Sequence, residues 1–252
     1  MGGGVPSTGT PFFVAYPGII ITLLYIKTAT GGQDIHKSAI FGVHTRQQTK
    51  PTYMKVGLFI PCYINAVYPG VGRASYELLG RLGCEVDYPL GQTCCGQPMA
   101  NAGFEKDARA LAEHMDALFA QYDYVVGPSA SCVVFVREGY PRLLDNYREH
   151  ACVDSRIWEI CEFIHDVVRP AKLDARFPHR VSVHNSCHGV RKMGLSSPSE
   201  LNVPYMSKLR DLLSLVGDID IAEPSRRDEC CGFGGMFSVE ENAVSVCMGR
   251  DK

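Results

Sequence analysis

The chain has 252 residues, enough for one large domain or two modest α/β domains. Hydrophobic residues make up 46% and charged residues 21%, as in soluble globular proteins, and 25 basic against 27 acidic residues leave no basic surplus. This total implies no basic face, and we expect no nucleic-acid partner. Eleven cysteines, an odd number, argue against a secreted disulfide scaffold and favour metal or redox use in the reducing cytoplasm.

The first 53 residues differ from the rest of the chain. They contain an apolar run, FFVAYPGIIITLLYIK, which Pro17-Gly18 interrupts. Its uninterrupted part, residues 19–26, is far shorter than the roughly 20 residues that span a bilayer, and no basic stretch precedes the run. We predict a disordered or non-native extension over residues 1–53 without a stable membrane span. A membrane anchor or targeting segment is the alternative.

A first α/β unit is predicted over residues 54–170. The strand VGLFIPC ends at Cys62, a helix closed by Gly83 follows, and the strand CEVDYP leads to Cys94-Cys95-Gly96. A helix near 104–122, the strand YDYVVGP, the segment SASC and a helix near 155–168 complete the unit. The residues predicted to face the core from these three helices are Val71, Ala74, Leu78, Leu79, Leu82, Phe104, Ala108, Leu111, Met115, Leu118, Phe119, Ile157, Cys161, Ile164 and Val168.

The same order of elements returns in residues 171–252. The strand RVSVHNSC ends at Cys187, a helix closed by Gly217 follows, and the strand DIDIAEP leads to Cys230-Cys231-Gly232. The inward residues of that helix are Met206, Leu209, Leu212, Leu213 and Val216. We infer an internal duplication, and hence an α/β fold of two Rossmann-like units with parallel sheets.

Four cysteines of the first unit follow the ends of predicted strands, and they are Cys62, Cys94, Cys95 and Cys132. The carboxyl ends of parallel strands meet in one crevice, so we expect these thiols to converge there. Four thiolates suit a soft metal centre and meet the ligand requirement of a [4Fe–4S] cluster. Gly96, directly behind the pair, lets backbone N–H groups approach the sulfurs.

The second unit repeats three of these four positions, as Cys187, Cys230 and Cys231, followed by Gly232. Cys132 lies 37 positions after Cys95, so its counterpart would fall near position 268, beyond Lys252. Cys247 stands in a segment predicted to be helical and is not assigned as a ligand. We expect the second unit to be truncated, or its site to be incomplete or filled differently.

The duplicated cysteine pattern resembles the cysteine-rich (CCG) domain family, which includes one component of heterodisulfide reductase and the glycolate oxidase iron–sulfur subunit. LGCEVDYP, CCGQP, GPSASC and CCGFGGMFSV resemble in particular the lactate utilization protein A group, over about residues 54–252. The resemblance implies an iron–sulfur electron-transfer subunit of an L-lactate-oxidising system. Such a subunit works with other iron–sulfur and dehydrogenase subunits and is not catalytic alone.

One departure from the reductase pattern bears on the cluster type. Heterodisulfide reductase carries Cys-x-x-Cys where this chain has Ser129-Ala-Ser-Cys132, so four cysteines remain per site. This difference favours an ordinary four-ligand cubane and weakens disulfide reduction at the cluster. A zinc-binding structural or assembly protein and a thiol–disulfide reductase subunit remain the alternative functions.

The remaining cysteines and two histidines have simpler interpretations. Cys84 and Cys161 fall on predicted inward faces and are interpreted as small core residues, while Cys152 is unassigned. His184 and His188 flank Cys187 and are candidates either for hydrogen bonding to a cluster or for a structural role.

Overall fold

The computed structural model describes residues 13–15 and 54–252, and the expected extension otherwise lies outside the described residues. Over the described part, every strand pair is parallel, and the strands form a four-stranded sheet of order β3-β2-β4-β5 and a three-stranded sheet of order β1-β6-β7. The strands are β1 Phe13–Ala15, β2 Lys55–Leu58, β3 Glu85–Asp87, β4 Tyr124–Gly127, β5 Ile157–Glu159, β6 Arg180–Val183 and β7 Asp220–Ala222. The predicted fold class, two α/β units with parallel sheets, is confirmed.

Ten α-helices accompany the strands in the described residues. In the first unit they are α1 Cys62–Val67, α2 Pro69–Arg81, α3 Gln97–Asn101, α4 Glu105–Leu118, α5 Ala130–Leu143 and α6 Ile160–Phe163. In the second unit they are α7 Cys187–Arg191, α8 Lys208–Ser214, α9 Phe237–Glu240 and α10 Asn242–Asp251. A π-helical turn, Ile164–Val168, extends α6, and short 3-10 turns cover Tyr147–Glu149, Val153–Ser155 and Ser199–Leu201.

Two predictions about element type are wrong in part. Helical spacing predicts one helix near 155–168; residues 160–168 are helical, but Ile157–Glu159 forms strand β5, which pairs with β4. In a strand, residues two positions apart lie on the same face, so Ile157 and Glu159 are both buried beside β4. This burial outweighs the helical spacing of the apolar residues. Cys62 and Cys187, at which strands are predicted to end, stand instead in the first turns of α1 and α7, whereas Cys132 lies just beyond β4 as expected, in the first turn of α5.

Most predicted core positions are buried, with two large exceptions. Phe104 is 61% exposed because it precedes the first residue of α4, and Met206 is 44% exposed because α8 begins only at Lys208. Residues before a helix do not share its inward face, so helical spacing misplaces them. Leu209, Leu212 and Leu213 of α8 are buried as predicted.

Two apolar clusters join the units. Phe163 and Ile164 at the end of the first unit pack in the same cluster as Val181 and Leu213 of the second. A further cluster joins α4 and α5 to Met193 and Leu195. Because burial of apolar surface is the main stabilising contribution, these contacts hold the units together as one body.

Candidate metal centre

Four cysteine sulfurs of the first unit lie in contact in the folded chain. The Cys62 Sγ lies 3.5 Å from the Cys94 Sγ, and Cys95 hydrogen bonds to both Cys94 and Cys132. Three loops supply these residues, after β2, β3 and β4, all at the carboxyl ends of parallel strands. The structure therefore brings the four predicted ligands of this unit together.

Their mutual hydrogen bonds divide the four thiols into two kinds. Bonds from Cys95, the Gly96 N–H and Cys62 lower the pKa of Cys94 to about 5. A bond from Cys95 likewise lowers the pKa of Cys132. Burial and donation to Cys94 raise the pKa of Cys62 to about 11, and donation to Cys132 and Cys94 raises that of Cys95. The arrangement thus favours two thiolates held by two thiols.

Glycine behind each cysteine pair is required by the backbone. Gly96 has φ of 91°, and a Cβ there would lie 3.1 Å from the Ala108 carbonyl oxygen. Gly232 has φ of 77°, and a Cβ would overlap the Ser245 carbonyl oxygen of α10. In both places the glycine N–H points at the first sulfur of the pair, at 3.5 Å from Cys94 Sγ and 3.4 Å from Cys230 Sγ.

A buried tyrosine that the sequence analysis missed supports the first pair. Tyr140 is fully buried on α5, and its hydroxyl donates to the Cys95 carbonyl oxygen at 3.0 Å. Burial, together with the nearby cysteines, raises its pKa well above the ordinary value. A large buried tyrosine needs a partner for its hydroxyl, but sequence does not show where that partner lies.

Hydroxyl groups also surround Cys132. Ser129 and Ser131 both hydrogen bond to its sulfur, and Tyr63 donates to the Ser129 Oγ at 3.3 Å. Cys132 stands in the first turn of the 14-residue helix α5, where the positive end of the helix dipole favours a thiolate. The segment SASC, noted in the sequence only for its cysteine, therefore contributes donors as well.

The second set reproduces half of this arrangement. Cys187 begins α7 and donates to Cys230, which also accepts the Gly232 N–H. Burial, with the nearby Cys230, raises the pKa of Cys187. Cys247 is exposed on α10. Gly249 of the same helix would place a Cβ 3.4 Å from the Cys231 carbonyl oxygen, so α10 packs on the backbone of the pair.

The other candidates occupy different surroundings. Cys84 and Cys161 are buried in the apolar core, as predicted. The Cys152 thiol donates to backbone carbonyl oxygens of the Tyr147–Glu149 turn and of His150. His184 is buried beside a small cavity that Cys161 and Asn185 also line. Burial lowers the pKa of His184 to about 4 and also lowers that of His188, which favours neutral imidazoles.

The chemistry of this donor set bears on which group it would hold. In the described residues, no group of three or more histidine, cysteine or acidic side chains is placed to coordinate a single metal ion. The first set nevertheless combines four free thiols, two of them favoured as thiolates, with a backbone N–H on one sulfur. These donors fit a thiolate-ligated iron–sulfur group, which takes four cysteines and is tuned by hydrogen bonds to sulfur.

Comparison with known proteins places the chain in a family. The model of the cysteine-rich domain (CCG) matches residues 56–137 and again 181–252. Lactate utilization protein A of Halalkalibacterium halodurans is 39% identical over 203 residues, 79% of each chain. That of Geobacillus thermodenitrificans is 40% identical over 203 residues, 79% of this chain and 80% of the relative. Within residues 13–15 and 54–252, no helix is long and apolar enough to cross a membrane. Two matches to one domain, with this similarity over most of its length, establish that the chain belongs to the cysteine-rich domain family and groups with the lactate utilization proteins A.

Proposed function

We propose that Cys62, Cys94, Cys95 and Cys132 hold a [4Fe–4S] cluster and that the protein relays electrons in an L-lactate-oxidising system. The observation that supports this most is the contact of four free thiols from three loops at one sheet edge. The names of the relatives support the lactate-utilization role. A bound cluster of this kind would accept and release one electron at a time.

The residues around the thiols have identifiable tasks in this proposal. The Gly96 N–H donates to the Cys94 sulfur and so stabilises negative charge there. Tyr140 fixes the backbone of Cys95 through its carbonyl oxygen. Cys62 is exposed whereas Cys95 and Cys132 are buried, so the side of Cys62 is the approach open to a partner. Burial of the latter two thiols keeps water from the interior of the site.

The proposal extends to partners and organisation. A separate dehydrogenase would oxidise the 2-hydroxy acid, in keeping with the lactate-utilization names of the relatives, and this chain would pass on the electrons. We propose residues 54–170 as the first cysteine-rich domain and 171–252 as the second. The reducing cytoplasm suits eleven free thiols.

One distance favours a second candidate, a structural zinc site, although no three histidine, cysteine or acidic side chains of the described residues are placed to hold a single metal ion. With zinc–sulfur bonds of about 2.3 Å, two tetrahedral ligands stand about 3.8 Å apart, close to the 3.5 Å between Cys62 and Cys94 sulfurs. A zinc site would make the protein a structural or assembly factor. A thiol–disulfide reductase is the remaining alternative and would use Cys94 and Cys95 directly.

Metal analysis after anaerobic purification separates these candidates. We expect about four iron and four sulfide per cluster, a brown colour, and loss of both in Cys95→Ser. Cys247→Ser, at an exposed position, is the matched control and should keep the iron, while Cys161→Ser should reduce stability alone. Colourless protein with stoichiometric zinc would contradict the cluster. Metal-free protein with thiol-exchange activity would indicate the reductase.

A further inference from the structure

Three serines of the described residues stand at helix N-cap positions, and one of them does not cap its helix. Ser186 accepts the Gly189 N–H of α7 at 3.1 Å, and Ser207 accepts the Arg210 N–H of α8 at 3.3 Å. Ser129, which precedes α5, makes no such side-chain bond. Because an N-cap bond stabilises a helix, Ser129 lacks a favourable contact that the other two serines make.

The backbone of Ser129 does not explain this difference. Its φ and ψ are −153° and 108°, and those of Ser207 are −154° and 111°. Both serines therefore have the extended backbone of a capping residue, and the difference lies in the direction of the side chain. The Ser129 hydroxyl is directed instead at the Cys132 sulfur, to which it hydrogen bonds.

A tyrosine hydroxyl holds the Ser129 side chain in this direction. The Tyr63 hydroxyl donates to the Ser129 Oγ at 3.3 Å, across 66 positions of sequence. A serine hydroxyl has one proton to donate and two lone pairs that accept. Because the bond from Tyr63 occupies a lone pair, the Ser129 proton stays available for the Cys132 sulfur. Ser131, whose Oγ lies 3.3 Å from that of Ser129, bonds to the same sulfur.

We propose that Ser129 raises the reduction potential of the cluster by donating a hydrogen bond to the Cys132 sulfur, and that Tyr63 positions Ser129 for this bond. The inference rests on the proposed function, since it concerns a cluster held by Cys132. A hydrogen bond to a ligand sulfur stabilises its negative charge, which grows when the cluster gains an electron. The reduced form is therefore stabilised more than the oxidised form.

Cluster binding would keep the hydroxyl bonds to this sulfur and remove the bond from a neighbouring cysteine. Cysteine binds a metal as the thiolate, so Cys95 can no longer donate to Cys132 once both are ligands. The serine hydroxyls keep their protons, because they are not ligands in this proposal. Ser129 and Ser131 therefore remain as donors to the Cys132 sulfur.

The burial of these groups makes the Ser129 bond effective. Ser129 is 5% exposed and Cys132 is 6% exposed, whereas Tyr63 is 41% exposed. A hydrogen bond away from water is electrostatically stronger than one in contact with it. Tyr63, at the surface, can be substituted without opening the core beneath it.

The first test measures the midpoint potential of the cluster in the anaerobically purified full chain, by a spectroscopically monitored redox titration. Ser129→Ala removes the donor and should make the cluster about tenfold harder to reduce, a fall of about 59 mV in the potential. Tyr63→Phe keeps the ring and should produce a smaller fall. Ser129→Thr retains a hydroxyl and should keep the wild-type potential. Ser207→Ala, at a serine with the same backbone conformation, is the matched control and should also keep it.

The outcomes separate this inference from the proposed function. Equal potentials in wild type, Ser129→Ala and Tyr63→Phe would overturn the inference and leave the cluster itself in place. A fall that Ser129→Thr shares with Ser129→Ala would indicate a steric effect and would overturn it as well. A wild-type chain without iron and sulfide would overturn the proposed function and this inference together. If Ser129→Ala loses its iron, the potential of Tyr63→Phe decides.

Amide hydrogen exchange in the same purified chains gives a readout that does not depend on the potential. Ser207→Ala removes an N-cap bond, so the Arg210 N–H should exchange about tenfold faster. Ser129→Ala removes no such bond, so the Cys132 N–H, at the equivalent position of α5, should keep its rate. Equal acceleration at both positions would show that Ser129 acts as a helix cap, and would overturn the inference.

Discussion

Glu159 ends strand β5 with its side chain fully buried, and it offers a pH-dependent test of the fold. Its Oε2 accepts backbone N–H bonds from Cys161 at 2.7 Å and Glu162 at 3.2 Å. Its Oε1 has no hydrogen-bond partner in the part of the chain that the structure describes. Burial outweighs the two N–H bonds and raises the pKa from 4.5 to about 7. Charges facing it are those of Glu162, which adds to the rise, and Arg137, which opposes it.

The sign of the pH effect follows from this raised pKa. The folded protein binds the proton of Glu159 more tightly than the unfolded chain, so stability from this group is complete below pH 4.5 and declines as the pH rises towards 7. Each pKa unit corresponds to about 1.4 kcal/mol. The rise of the Glu159 pKa from 4.5 in the unfolded chain to about 7 in the folded protein therefore changes the free energy of unfolding by about 3 kcal/mol. Glu159→Gln removes the titration and keeps an oxygen acceptor for the N–H groups.

The measurement compares urea unfolding of the wild-type and Glu159→Gln chains between pH 4 and pH 8. The free energy of unfolding of the variant, relative to wild type, should increase by about 3 kcal/mol across this range. Titration of other groups cancels in the comparison. Glu113→Gln, at an exposed position on α4, is the control and should follow wild type. Parallel curves for wild type and Glu159→Gln would refute the reasoning.

Three further substitutions test contacts around the thiols and the core. Gly232→Ala should lower the free energy of unfolding by about 2 kcal/mol or more, because of its positive φ and the nearby α10 carbonyl; a change under about 0.5 kcal/mol in urea unfolding would contradict this. Tyr140→Phe should cost about 1–3 kcal/mol by leaving the Cys95 carbonyl oxygen buried without its donor, and wild-type stability would disprove that role. Arg137→Met should cost about 2 kcal/mol by removing both bonds to the buried carboxylate of Glu162, measured at pH 7 against wild type.

Much of the fold and of the candidate site could be predicted from local sequence patterns. The repeated order of strand, cysteine, helix, glycine, strand and cysteine pair is written along the chain, and parallel α/β units place strand ends at one edge. Contact between Cys62, Cys94, Cys95 and Cys132 follows from that rule. Strand β5 was not predicted, because three residues are too few to show the alternating pattern of a strand. The helical turn that follows directly continues the apolar spacing of a helix.

Side chains that act at a distance in sequence were not predictable in the same way. Tyr140 contacts the Cys95 carbonyl across 45 positions, and Asp116 binds the backbone N–H groups of Ala151 and Val153 across 35 and 37. These hydrogen-bond partners depend on how α4 and α5 pack against the rest of the chain, and the sequences of the two helices do not indicate that packing. The burial of Glu159 belongs to the same group, since glutamate is ordinarily exposed.

The sequence by itself determined the duplication and the strand and cysteine order within each unit, because these are visible in local patterns of apolar residues, glycines and cysteines. Only the tertiary structure decided that Phe13–Ala15 pairs with β6, that Tyr140 reaches Cys95, and that Glu159 is enclosed. The physical reason is that edge pairing and burial depend on which surfaces remain open once the local elements have formed. Those surfaces are then buried by residues that are far apart along the chain.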